Sequence, residues 1–256
     1  MASRAARAWA MPFMVMMLAL TVISCGDDRD RRSAILDTSA PTRATSDAAP
    51  TPTAQPAEKR GVDFGHIETA YQGSGPGVVI LGDSITVSSR EDLRRELDDY
   101  SVKIGALFGE GLGGGPFSAM AASGPPAMTV AATEYGKEDP GVAVLALGTN
   151  DAWKPELTLD MARTELDRIV AGLDGACLVA VTITEEATID GYDRGEARAI
   201  NDLLRARADQ VVDWNAVGTT PEFTSDDEIH LDPAGRALRS SMIDDAVDTC
   251  MATHAE

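Results

Sequence analysis

Apolar and polar residues along positions 61–256 follow an alternation typical of strands and helices in turn. Nearly continuous apolar runs predict buried strands at 77–81, 102–107, 142–147, 177–183 and 210–214. Between them, apolar residues recur at helical spacing, which predicts helices over 90–99, 126–135, 159–173, 194–208 and 233–251. The pattern therefore predicts one doubly wound α/β domain, with a mostly parallel five-stranded sheet and helices on both faces.

The first 60 residues lack this alternation. Arg4 and Arg7 precede an uncharged run that ends in Val-Ile-Ser-Cys-Gly around Cys25. This ending resembles the lipobox of bacterial lipoproteins, in which the cysteine is lipidated and becomes the mature N-terminus; an uncleaved anchor helix is the alternative. Four prolines among Ala, Ser and Thr follow, which is typical of an extended, disordered linker. We expect a signal peptide at 1–24, a tether at 25–60 and a folded extracytoplasmic domain at 61–256.

Charge and composition narrow the classes of function. The chain has 22 Lys and Arg against 41 Asp and Glu, a net charge of −19. Phosphate backbones repel such a surface, and only 5% of residues are aromatic, so we expect no nucleic-acid partner. Three cysteines are too few for a disulfide-dense scaffold or a four-cysteine zinc site.

Candidate chemistry follows the predicted strands, where parallel sheets bind their ligands. Four blocks stand there or before the last helix: Gly82-Asp83-Ser84, Phe108-Gly109-Glu110, Gly148-Thr149-Asn150-Asp151 and Asp227-Glu228-Ile229-His230. In order and placement they resemble the blocks of the SGNH, or GDSL-type, serine hydrolases over the whole of 61–256. The resemblance implies a flavodoxin-like fold and a serine esterase that needs no cofactor and no metal.

Three residues have the chemistry of a nucleophile, its base and the carboxylate that orients the base. Ser84 needs a neighbouring base to remove its proton, although a helix N-cap is an alternative role for this segment. His230 is the only credible base, because His66 precedes the first strand and His254 is near the C-terminus. Asp227 can orient the imidazole. The family spacing Asp-x-x-His favours Asp227 over Asp226 for this role.

The resemblance also implies an oxyanion hole, which needs preorganised donors. The family takes them from the serine N–H, a glycine N–H of the second block and an asparagine amide of the third. Ser84, Gly109 and Asn150 fit these places, with Gly105 as the alternative glycine and a turn or cap as the alternative role of Asn150.

Two other classes of site can be weighed against this interpretation. Gly109, Gly111 and Gly114 match the dinucleotide-binding pattern G-x-G-x-x-G, but after the second strand and without the acidic residue expected about twenty positions later. The acidic loop at 226–228 could hold a cation, yet one acidic run does not supply the several oxygen ligands required. A non-catalytic lipoprotein that binds a ligand in the same cleft is the alternative function.

A finer resemblance concerns the substrate. Val212-Asp213-Trp214 together with the last block is similar to the extracytoplasmic SGNH domains of cell-wall O-acyltransferases. It implies an acylated cell-envelope glycan as substrate, with transfer as an alternative to hydrolysis. Trp214 could stack on a sugar or be a half-buried strand aromatic, and Trp153 is the better candidate for the rim of the site.

If Cys25 carries lipid, Cys177 and Cys250 remain as an even pair in an oxidising compartment. Cys177 begins a strand, at the amino edge of the predicted sheet, and the last helix is long enough to return Cys250 to that edge. We predict a Cys177–Cys250 disulfide; two buried free thiols are the alternative.

Overall fold

The computed structural model describes residues 65–67, 70–115 and 125–254 of the 256-residue chain. The predicted signal peptide at 1–24, the lipidation residue Cys25 and the tether at 25–60 lie outside these residues. Within the described ranges, no helix combines the length and apolar character needed to cross a membrane.

A seven-stranded sheet forms the centre of the described domain. Its strands are β1 (Gly65–Ile67), β2 (Gln72–Gly73), β3 (Gly77–Gly82), β4 (Ser101–Leu107), β5 (Val142–Ala146), β6 (Cys177–Val181) and β7 (Gln210–Val212). The order is β1-β4-β3-β5-β6-β7, with β2 also pairing with β4. Strands β3 to β7 are mutually parallel, which confirms the predicted parallel sheet.

The prediction of five strands was wrong by two. Strands β1 and β2 pair antiparallel with β4. They were missed because they are three and two residues long and lack an apolar run. Three predicted strands also end earlier than expected, at Ala146, Val181 and Val212. Trp214 therefore begins a 3-10 turn instead of ending the last strand.

Helices cover both faces of the sheet, as predicted. They are α1 (Ser84–Ser88), α2 (Arg90–Glu96), α3 (Ala127–Gly136), α4 (Thr149–Trp153), α5 (Leu159–Gly172), α6 (Arg194–Arg205) and α7 (Pro233–His254). The core lies on both sides of the sheet: α1, α2 and α7 pack on one face, and α3, α5 and α6 on the other. Successive side chains of β3 alternate between these two cores and are fully buried.

Two of these helices, α1 and α4, are not among the helices predicted from the repeat of apolar positions. Each has only five residues, which is too short to show a helical repeat of apolar positions. Both start directly after a strand of the sheet, and they carry Ser84 and Asn150 at its carboxyl edge.

A disulfide joins Cys177 and Cys250, with a Cα–Cα distance of 5.8 Å. Both cysteines are completely buried. Cys177 is the first residue of β6, so the bond lies at the amino edge of the sheet, away from the strand ends that carry the candidate site.

Candidate active site

Ser84 stands at a sharp turn between β3 and α1. Asp83 caps the helix, since its carboxylate accepts a hydrogen bond from the Ile85 N–H at 2.9 Å. A side chain at Gly82 would lie 2.0 Å from the Thr86 Oγ1, so only glycine permits this close approach. Asp83 therefore takes the capping role, and Ser84, the first residue of the helix, has its hydroxyl free for other contacts.

The structure brings Ser84, His230 and Asp227 together. The Ser84 Oγ lies 2.9 Å from the His230 Nε2, and the His230 Nδ1 lies 2.6 Å from the Asp227 Oδ2. The other carboxylate oxygen of Asp227 accepts hydrogen bonds from the N–H groups of Ile229 and His230, at 3.0 and 2.8 Å, and from the Ser225 hydroxyl at 2.9 Å. This is the arrangement in which a histidine can remove a serine proton.

Hydrogen bonding keeps Asp227 ionised. Burial alone would raise the pKa of Asp227, but the His230 ring, the N–H groups of His230 and Ile229 and the Ser225 hydroxyl together hold it well below its ordinary value. An ionised carboxylate can only accept, so the His230 Nδ1 carries the proton. In the neutral ring the Nε2 is then the nitrogen that can accept the Ser84 proton.

Glu228, between Asp227 and His230, makes contacts that the sequence analysis did not anticipate. It has a left-handed backbone with φ of 58°, which costs a non-glycine residue about 1–3 kcal/mol. Its carboxylate accepts hydrogen bonds of 2.5 to 2.7 Å from the N–H and hydroxyl of Thr188. These contacts hold the Asp227–His230 loop against the segment that follows β6.

The candidate oxyanion residues line one cleft with the serine. The cleft has a volume of about 220 Å³ and is lined by Ser84, Phe108, Gly109, Thr149, Asn150, Trp153, Ile229 and His230. The Asn150 amide donates one hydrogen bond to the Glu110 carbonyl at 2.9 Å, which leaves its second N–H. Gly105, the alternative glycine, instead lies inside β4, where a side chain would lie 3.1 Å from the Tyr135 ring.

Asp151 holds the glycine-rich loop in place, a role that the sequence analysis missed. The buried carboxylate accepts hydrogen bonds from the N–H groups of Leu112 and Gly113, both at 2.6 Å. A side chain at Gly111 would lie 2.3 Å from the Asp151 Oδ2, so the pairing requires glycine there. Burial raises the pKa of Asp151 to about 7 against the opposing effect of these bonds. Because a carboxylate occupies these N–H groups, they are not free to bind a dinucleotide phosphate.

A buried arginine on α7 lies near Asp83, the residue that precedes Ser84. Arg239 is 4% exposed and lines a small pocket of about 10 Å³, the space of roughly one water molecule. Burial raises the pKa of Asp83, and the charge of Arg239 is the strongest influence opposing that rise. Arg239 shares the core-facing stripe of α7 with Ile243, Val247 and Cys250, a spacing that could have indicated its burial.

Trp153 and Trp214 differ sharply in exposure. Trp214 is 4% exposed in its 3-10 turn, so it is neither the half-buried strand aromatic nor the sugar-stacking residue considered from the sequence. Trp153 is 37% exposed and lines the cleft. Within residues 70–115 and 125–254, no group of three or more His, Cys, Asp or Glu side chains is placed to hold a metal ion.

No protein-family model matches the sequence, and no curated protein matches it. Solved structures do. A carbohydrate esterase of family 3 from Talaromyces cellulolyticus shares 14% identity at a TM-score of 0.54, over 70% of this chain and 99% of that one. The family 3 carbohydrate esterase of Clostridium thermocellum shares 15% identity at a TM-score of 0.51, over 71% of this chain and 100% of that one. A candidate SGNH hydrolase from Slackia heliotrinireducens shares 17% identity at a TM-score of 0.50, over 68% of this chain and 100% of that one.

The chain has the SGNH-hydrolase fold. The likeness is one of fold, and it agrees with the expected flavodoxin-like arrangement. In this SGNH fold the serine follows the central strand β3, while the histidine and its aspartate precede α7.

Proposed function

We propose that the protein is an SGNH-type serine esterase that cleaves or transfers acyl esters through a Ser84 acyl-enzyme. The observation that carries the proposal is the unbroken hydrogen-bonded series from the Ser84 hydroxyl through the His230 ring to the Asp227 carboxylate. It opens on a cleft whose other lining residues include the Asn150 amide and Gly109.

In the acylation step, the Ser84 Oγ attacks the acyl carbon while the His230 Nε2 takes the hydroxyl proton. Negative charge develops on the carbonyl oxygen, where the N–H groups of Ser84 and Gly109 and the Asn150 amide stabilise it. When the tetrahedral intermediate collapses, the bond to the alkoxy oxygen breaks and His230 returns the proton to the departing alcohol.

In the deacylation step, His230 removes a proton from water, and the hydroxide oxygen attacks the acyl carbon of the Ser84 ester. The free acid leaves as Ser84 regains its proton from His230. An acceptor alcohol in place of water would give acyl transfer. Asp227 stays ionised throughout and stabilises the imidazolium that forms in both steps.

The substrate class that we propose is an acylated cell-envelope glycan. Three features support it: the resemblance of the last block to cell-wall O-acyltransferase domains, the carbohydrate esterases among proteins of this fold, and the small cleft of about 220 Å³. The cleft is below the size common for drug-sized ligands, which favours a short acyl group such as acetyl.

The setting that we propose is the outer face of the cell membrane, with the lipid attached at Cys25 and the 25–60 segment as a spacer. Its support is the lipobox-like sequence around Cys25. Metabolic labelling with a fatty-acid analogue should mark the wild-type protein and leave Cys25→Ser unmarked; equal labelling of both would contradict the anchor.

The catalytic proposal is tested with Ser84→Ala and with a phosphonate that reacts only with activated serines. Wild-type protein should hydrolyse ethyl acetate and take up one phosphonate at Ser84, and the variant should lose both while its thermal unfolding is unchanged. Ser88→Ala is the matched control, because Ser88 lies on the same helix with an exposed hydroxyl that bonds only the Ile85 carbonyl. If Ser84→Ala kept more than a tenth of the wild-type rate, the mechanism would be wrong, and an unlabelled Ser84 would indicate a binding cleft without catalysis.

A further inference from the structure

Two aromatic side chains lie exposed at the candidate active site. In the described part of the chain, the large apolar side chains that are exposed are Phe108, Val130, Trp153, Met161 and Val211. Both aromatic members of this set line the cleft that contains Ser84 and His230. Phe108 is 47% exposed and directly precedes Gly109, whereas Trp153 is 37% exposed and ends α4. Exposed aromatic surface that lines a cleft is typical of a ligand contact.

The indole of Trp153 is held in place although it is exposed. Its Nε1 donates a hydrogen bond to the Asp190 carbonyl at 3.1 Å. The turn at Gly191, where φ is 81°, brings backbone close to the same edge, since a side chain there would lie 3.6 Å from the indole Cδ1 and Nε1. The polar edge of the ring is therefore satisfied by the protein, and the ring needs no reordering to receive a ligand on its face.

The rest of the cleft indicates which ligand such a ring would take. Apart from the two aromatics, only Ile229 among the lining residues is a large apolar side chain; the others are Ser84, Gly109, Thr149, Asn150 and His230. A long acyl chain would require a more extensive apolar lining than these residues supply. A pyranose ring has an apolar C–H face and a rim of hydroxyl groups, which matches an aromatic ring beside polar groups. The net charge of −19 also disfavours a polyanionic ligand.

We propose that Trp153, together with Phe108, forms a subsite that stacks a pyranose ring of an acylated glycan and places its ester beside Ser84. The subsite deepens the proposed function and rests on it for the ester chemistry, while saccharide binding does not depend on turnover. Trp153 and Phe108 would thus set specificity for the sugar part of the substrate.

The kinetic experiment compares two acetyl esters in a pH-stat, glucose pentaacetate and ethyl acetate, of which only the first contains a pyranose ring. Trp153→Ala should lower kcat/KM for glucose pentaacetate about tenfold or more, mainly through KM, if a stacked pyranose ring loses as much as a nucleobase does when its aromatic partner is removed. Ethyl acetate hydrolysis should fall much less than glucose pentaacetate hydrolysis, and Trp153→Phe should restore most of the loss. Val130→Ala, an exposed apolar control at 45% that lies outside the cleft, should change neither ester.

The ethyl acetate measurement separates stacking from an indirect effect. Lys154, the next residue, donates a hydrogen bond from its Nζ to the Gly109 carbonyl, so a displaced Trp153 could disturb the loop that carries Gly109. Such a disturbance would slow both esters equally. An equal loss on both esters, or no loss on glucose pentaacetate, would overturn the proposal.

Binding is measured separately by calorimetry with cellotriose and chitotriose on the full chain carrying Ser84→Ala. We expect at least one of the two to bind, and the affinity to fall about tenfold or more when Trp153→Ala is added. Absence of binding by both sugars, or binding that ignores Trp153, would overturn the subsite. If the wild-type chain hydrolysed neither ester but bound sugar through Trp153, the esterase proposal would fail and the subsite would stand.

Discussion

Replacing both cysteines of the disulfide, in the variant Cys177→Ala/Cys250→Ala, should destabilise the protein by an amount set by the size of the closed loop. The two residues are 73 positions apart. In the chain-entropy account, a loop of this size restricts the unfolded state by about 4 kcal/mol at 25 °C. Both side chains are fully buried, so the loss of two sulfur atoms from the core adds to this cost. For a domain of this length, about 4 kcal/mol corresponds to a drop in Tm of roughly 8–16 °C.

Equilibrium unfolding in urea, with and without a thiol reductant, is the appropriate assay. Reductant should destabilise the wild-type protein toward the level of the double variant and leave the variant unchanged. Cys25→Ser is the control, because it removes a cysteine without opening the loop. The kcat toward ethyl acetate should be equal for all folded forms, because the bond lies at the amino edge of the sheet and Ser84 at the carboxyl edge.

The outcome that would refute this reasoning is a variant whose unfolding free energy falls by less than about 1 kcal/mol while its m-value is unchanged. Such a result would mean that the bond contributes little restriction to the unfolded chain. A large loss of kcat in a variant that is still fully folded would contradict the separation of the bond from the candidate active site.

Three further perturbations test the site. Asn150→Ala should lower kcat by about 10²–10³ with the fold intact, because one oxyanion donor is lost; a decrease of less than about threefold, measured on ethyl acetate, would remove Asn150 from that role. Asp151→Asn should flatten the pH dependence of the unfolding free energy. Burial raises the pKa of the Asp151 carboxyl group from 3.8 to about 7 in the folded state. The folded protein therefore binds more protons than the unfolded chain between these values, and it loses stability as pH rises across that window. A slope between pH 4 and 7 that is identical in both proteins would contradict this. Glu228→Ala should lower kcat through the loss of the Thr188 contacts, and Thr188→Val should reproduce part of the effect. Unchanged kcat in both variants would show that the Asp227–His230 loop needs no such support.

The sequence by itself determined the layers of the fold and the residues whose roles depend on short spacing. Buried strands are continuous apolar runs, and amphipathic helices repeat every three or four residues, so both can be recognised locally. The proximity of Asp227 and His230 also follows from local geometry, since the two are three positions apart and the carboxylate also accepts the His230 N–H. Ser84 could be placed at the same edge because parallel strands present their carboxyl ends together.

Only the tertiary structure decided which polar groups support these residues, because their partners are far away in sequence. Thr188 and Glu228 are 40 positions apart in the sequence, and Asp151 and Leu112 are 39 positions apart. No periodic pattern of residues links such pairs. Strands β1 and β2 owe their existence to pairing with β4 rather than to an apolar run of their own. Tertiary packing also determines how exposed the two tryptophans are. Trp214 is enclosed by the core, whereas Trp153 stays exposed beside Ser84 because α4 ends at the cleft.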